Sequence, residues 1–358
     1  MVITPTFTTN FQTFFGANSA NAMAAWAAAA QQFTNAFSDD IHINITVDAV
    51  ANPNVLGESF PQVEDIGYDE LFQRLSASAS TQTDLVATGS LGSVTPSDPT
   101  NGTATWQLTR AQAKALGVIP DDASDDGGTT FGVSSNTPYT FSGQIALNTF
   151  DFQGVAAHEI SEIMGRFGHS GTNNTFTILD LFAYTGAGIR SLGGGAGNFF
   201  SIDNGTTLLK QFNDPLFRGD SRDWAGGTSD AFNAFGTRSV VNPLSAVDLQ
   251  VMDAIGYGTA NPRGSLIQTV GHIVFLRAHD VGTGYGKAPN DLDCEVIVKL
   301  AEDPLRAFGL QLRVDDSKAA HQQMFDMLRA AFIANRPARL DYITTGPLAG
   351  MILRVANP

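Results

Sequence analysis

One helix carries charge where a core should be, and this limits the fold more than any other feature of the chain. Residues 152–165 read FQGVAAHEISEIMG, with Val155, Ala156, Ala157, Ile160, Ile163 and Met164 set around His158, Glu159 and Glu162. A helix this apolar belongs in a core, where an uncompensated charge is costly. Any fold must therefore bring partners to these three side chains. The plain alternative, a surface helix with two solvated acids and a capping histidine, fits the apolar flanks poorly. Gly165 is a fitting terminator.

Charge divides the chain. The net charge of −15 is split unevenly, −16 through residue 260 and +1 thereafter. The change falls at GYGTANPRGS, a stretch of linker-like composition. The expected domains are 1–258 and 266–358, joined by a linker at 259–265. An acidic surface repels phosphate backbones, so nucleic acid is excluded as a partner. The single cysteine, Cys294, rules out an intramolecular disulfide and a cysteine-based zinc site. No apolar run approaches the roughly 18 residues of a membrane span. AMAAWAAAAQQF reads as a buried helix rather than a signal segment. The expected location is extracellular or cell-surface, with any signal peptide already removed.

The first domain reads as α+β. Residues 19–37 favour helix, and IHINITVDAV alternates Ile41, Ile43, Ile45 and Val47 as a strand with one buried face. YDELFQRLSASA and LTRAQAKALG read as helices, TTFGVS and SGQIALNTF as strands. In PLSAVDLQVMDAIGYG, Ser245 is the expected N-cap, with Asp248 three residues on.

His158 and Glu162 stand at i and i+4, so both can reach one ion from one face of the helix. The spacing is that of the zinc-protease string H-E-x-x-H, with a carboxylate in place of the second imidazole. A carboxylate is an acceptable zinc ligand. Glu159 takes the position of the general base that draws a proton from a metal-activated water. Gly165 followed by His169 echoes the longer pattern in which a glycine bend returns a third ligand.

AHEISEIMGR (157–166), LDLFAY (179–184) and DLQVMDAIGY (248–257) together resemble a family of bacterial metalloproteases of metzincin-like outline. NFFSIDNGTTLLKQFN and GDSRDWAGG are similar to that family too. The resemblance spans nearly all of residues 1–258. It implies a zinc endopeptidase acting on protein or peptide, with Glu159 as general base and His158 and Glu162 as ligands. The third ligand is left between Asp180 and His169. The metzincin position for it is Gly168, with His169 one residue further on, whereas Asp180 lies in the DLF-x-Y piece that recurs in the family. Asp180 can also be an orienter of His158. Tyr184 is a candidate oxyanion donor or a packed core tyrosine. Asp203, Asn204, Asp214, Asp220 and Asp223 sit in Gly-rich loops whose oxygen content suits calcium, without an EF-hand pattern, and solvated loop acids are the plainer reading.

In the second domain, three strands, a helix and two strands follow one another, which is the order of an OB-type β-barrel. The helix, SKAAHQQMFDMLRAAFIANR, sets Met324, Met327, Leu328, Ala331 and Phe332 on one stripe. A module of this kind implies binding or assembly, here a homo-oligomer or a glycan contact through residues 261–358. The rival reading of the whole chain is a non-catalytic binding or self-assembling surface protein that keeps a protease fold as scaffold.

Overall fold

A computed structural model describes residues 1–92, 98–214, 216, 218–259, 267–281, 283–287, 290–313, 318–346 and 348–356. The chain divides into two compact units, Met1–Pro262 and Arg263–Pro358. Most of the expected linker, residues 260–265, lies outside the described residues. The protein is mixed α and β, with a closed barrel in the second unit.

The first unit is organised on a four-stranded sheet. Val2–Phe7, His42–Val50 and Gly127–Gly132 run parallel, and Gly57–Pro61 pairs antiparallel at the edge. Along His42–Val50, Ile43, Ile45, Val47 and Ala49 are buried and their neighbours are not, as a period of two requires. The helix Ser19–Ala36 buries Ala22, Ala25, Trp26, Ala29, Ala30 and Phe33, a stripe at helical spacing. It packs on the helix Phe152–Ile163, whose side chains are buried almost all round. The edge strand Gly57–Pro61 also lies against that helix. Gly165, at φ 99°, ends it with a left-handed residue that a side chain would strain. The helix Ala246–Ala254 starts with a reciprocal capping box between Ser245 and Asp248.

SGQIALNTF is not a strand. Gly143 (φ 72°) and Asn148 (φ 60°) take left-handed conformations that break an extended run. Leu147 within it is 85% exposed. Only Phe150–Asp151, just before the core helix, pairs with Tyr139–Thr140.

In the second unit Ile267–Ala278, Val296–Leu300, Asp303–Leu310, Ala349–Ala356 and Pro337–Gly346 close a barrel in that spatial order. Asp303–Leu310 and Ala349–Ala356 pair in parallel, so the chain must cross over between them, and the helix Lys318–Ala334 lies in that stretch. Leu328 and Ala331 are buried, with Met324 and Phe325 packed beside them. Phe332 leaves the expected stripe. Residues 332–334 are exposed throughout, beyond the packed part of the helix. Among the described residues, no helix is long and apolar enough to cross a membrane.

Candidate metal centre

The charged positions of the core helix open onto a cleft of about 680 Å³. His158, Glu159 and Glu162 line one wall, and the edge strand Gly57–Pro61 lines another. Phe167 and Gly168, after the helix bend, and Asp220 and Asp223, from a later loop, complete this part of the cleft.

His158, Glu162 and Asp223 converge, each offering one ligand atom, all within 4.8 Å of one another. His158 Nε2 lies 3.3 Å from Glu162 Oε1 and 3.5 Å from Asp223 Oδ1. The other ring nitrogen, Nδ1, is 2.8 Å from the carbonyl oxygen of Ala231. That carbonyl can only accept, so Nδ1 carries a proton and Nε2 faces the two carboxylates. This is the ring orientation that metal-ligating histidines adopt. Spacing offers a second test of fit. A tetrahedral ion with bonds of about 2.0–2.2 Å holds its ligand atoms about 3.3–3.6 Å apart. Both distances from Nε2 fall in that range, and the donor set of one imidazole and two carboxylates suits a divalent cation. The group can hold a metal ion.

Arg166 is the unexpected member. It is 1% exposed, and its guanidinium donates to Glu162 Oε1 at 3.1 Å and Asp223 Oδ1 at 2.6 Å. Its Nε donates to Ser161 Oγ at 2.7 Å, and its plane lies 4.4 Å above the Phe232 ring. Ser59, on the edge strand, donates to the other Glu162 oxygen at 2.7 Å. Burial and Arg166 oppose protonation of His158, but Asp223 and Glu162 outweigh them and push it up to about 10. Burial likewise opposes ionisation of Glu162. His158, Arg166 and Ser59 overcome it and hold the carboxyl down at about 2.

Glu159 faces the same cleft but differs in character. Burial first, and then the Glu162 charge, raise its carboxyl well above the ordinary value. Its side chain occupies space that only a glycine leaves open. A Cβ on Gly57 would lie 2.7 Å from Glu159 Cδ and 2.8 Å from Cγ.

The remaining residues singled out in the sequence lie elsewhere. Asp180 is not in the metal group. It is fully buried, accepts from Thr177 N at 2.8 Å and pairs with Arg222 Nε at 2.7 Å. It thus anchors the residue before Asp223 rather than orienting His158. Nor does His169 reach the group, for its Nε2 is 2.8 Å from Gln107 Oε1. The chain after Gly165 passes over the Asp180–Arg222 pair, and a Cβ on Gly168 would lie 2.7 Å from Asp180 Oδ1. Tyr184 is buried away from the cleft, with its hydroxyl accepting from Arg190 at 2.7 and 3.0 Å. It cannot act as an oxyanion donor there. Among the loop acids read as suited to calcium, Asp223 belongs to the metal group. Asp203 instead accepts from Ser201 Oγ and Thr207 N at 2.8 Å, as a turn residue does. Among the described residues no second His/Cys/Asp/Glu group of this kind gathers. Asp223, Arg166, Ser59 and Gly57 were not assigned to the site from sequence. The signal for the first two lay in the quoted strings GDSRDWAGG and AHEISEIMGR, which hold a buried acid and a buried arginine.

No family model, curated protein or solved structure matches the chain.

Proposed function

We propose that the first unit is a zinc-dependent endopeptidase of metzincin-like outline, with His158, Glu162 and Asp223 as metal ligands and Glu159 as general base. One observation carries this reading: the three ligand atoms and Glu159 converge on a single cleft walled by an edge strand. Zinc, when bound, supplies Lewis acidity that polarises a carbonyl and makes a water more acidic. The protein's residues do the rest. Glu159 accepts a proton as the water oxygen bonds to the peptide carbonyl carbon. It returns that proton to the leaving nitrogen as the C–N bond breaks. A carboxyl raised by burial and by the Glu162 charge holds a proton more firmly than an ordinary one, which strengthens it as a proton acceptor. Among the described residues, Gly57–Pro61 has a strand partner on one side only, and the backbone N–H groups of residues 57–60 and the strand's C=O groups suit pairing with an extended peptide, which gives a register for the scissile bond.

A second reading has its own support. Arg166 on both carboxylates, with a protonated His158, also makes a self-sufficient buried ion-pair network. The chain would then be a scaffold for binding or assembly at a surface. The second unit, with OB-like strand order and its exposed Phe332, suits such a role in either case.

Metal analysis of the purified chain separates the two, since a scaffold has no reason to retain one zinc per chain. Glu159→Gln should keep that zinc and lower peptidase activity at least about a hundredfold, within the range of about 10²–10⁴ for general-base loss. Full activity in this variant would sink the mechanism.

A further inference from the structure

The ligand set raises a chemical difficulty. Two carboxylates and a neutral imidazole bring two negative charges to a divalent ion and cancel it. An ion so neutralised is a poor Lewis acid. The residue that answers this is already in place.

Glu162 Oε1 and Asp223 Oδ1 each meet His158 Nε2 and a guanidinium nitrogen of Arg166. A carboxylate oxygen has two lone pairs. One can face the imidazole, where an ion would sit, while the other receives the guanidinium proton. Arg166 need not be displaced for an ion to bind. Its position is also fixed independently of the carboxylates, by Ser161 Oγ at 2.7 Å and the Phe232 face at 4.4 Å.

Resting on the metal reading, we propose that Arg166 is a fixed positive charge of this centre. Before metal arrives it offsets the repulsion between Glu162 and Asp223 and keeps both oriented. With a metal bound it would draw electron density from both ligands, so that the carboxylates neutralise the ion less and the group as a whole carries one net positive charge. The cost is affinity, because a buried cation beside the site opposes a second cation. Arg166 is therefore a positioning and tuning residue rather than a catalytic one.

The test is zinc affinity of the full chain, read by competition with a chromophoric chelator at one pH. The parent is measured first. A parent that takes up no zinc removes both the metal reading and this proposal. With the parent's affinity in hand, Arg166→Gln and Arg166→Lys test the proposal alone. Arg166→Gln should bind zinc about tenfold tighter or more, since a unit charge at this range in a buried site is a large term. Equal or weaker binding overturns the proposal, and would assign Arg166 a purely structural role. If Arg166→Gln fails to fold, Arg166→Lys decides, because lysine keeps the charge without the fork. Binding within about fivefold of the parent supports the charge argument, and any larger loss overturns it.

Discussion

Gly57→Ala is a small change with a large expected effect. The new Cβ would lie 2.7 Å from Glu159 Cδ and 2.8 Å from Cγ, with Oε1 nearer still. Carbon atoms pack at about 3.5–4.0 Å, so the Glu159 side chain must retreat by about 1 Å. The open space beside it is the cleft that it lines, so the retreat carries the carboxyl out of its present position into that cleft. A misplacement of about 1 Å can cost on the order of a hundredfold in rate. The expected outcome is a kcat about a hundredfold below the parent, with one zinc retained per chain. Overpacking should also cost roughly 1–3 kcal/mol of stability. The assay is cleavage of a fluorogenic peptide library, with metal content measured on the same sample. Pairing the change with Glu159→Gln sharpens it. Both act through one carboxyl, so the double variant should be no slower than Glu159→Gln alone by more than about threefold. Additive losses would mean that Gly57 acts on something other than Glu159. A Gly57→Ala enzyme with full kcat would refute the argument outright.

Two further outcomes follow from the charges around the site. In the metal-free protein His158 is raised to about 10, yet a ligand imidazole must be neutral, so zinc uptake releases its proton. Zinc affinity should rise about tenfold per pH unit from pH 7 to 9, with proton release seen by calorimetry in buffers of different ionisation enthalpy; a flat profile would remove His158 from the ligand set. The sign for stability is opposite. Because the folded value lies above the ordinary one of 6.5, the His158 contribution to metal-free stability is complete below about pH 6.5 and lost as pH rises through about 10, which thermal melts in chelator will read. Asp180→Ala leaves Arg222 buried without its carboxylate, at an expected cost of about 3–5 kcal/mol in urea unfolding. It should also lower zinc per chain by freeing the loop that carries Asp223, and unchanged zinc at lowered stability would show that the loop holds without this anchor.

What could be read from the sequence follows how local the determining physics is. The core helix, the alternating strand His42–Val50 and the Ser245 capping box depend on residues within a few positions of one another, and each formed as its spacing requires. The same holds for the barrel, whose strands carry their own periodicity. SGQIALNTF misled because two left-handed residues, Gly143 and Asn148, decide its path, and Asn is permitted in an extended strand as well as in a turn. Phe332 misled because helical spacing does not say where the packed part of the helix ends.

The third member of the His158, Glu162 and Asp223 group was a harder case, since it depends on how a long loop returns. Spacing after Gly165 favoured His169, and resemblance favoured Asp180. Both lie close to the helix in sequence. What seats Asp223 instead is a contact across 42 positions, between Asp180 and Arg222. Asp180 stays outside the group but pairs with Arg222, and the next residue, Asp223, lines the cleft. Resemblance pointed to Asp180, which the structure places outside the His158, Glu162 and Asp223 group and pairs with Arg222, a distinction that spacing does not draw. Charge accounting offers a better guide. Burying Glu162 on an apolar helix demands a cation, and the first arginine one turn on, Arg166, lies at the i+4 distance that pairs with it. A buried arginine with two donor faces in turn demands a second acid, and Asp223, in GDSRDWAGG, supplies it. Followed in that order, from Glu162 to Arg166 to Asp223, compensation of buried charge links the three residues that the structure brings together, whereas motif spacing stops at Glu162.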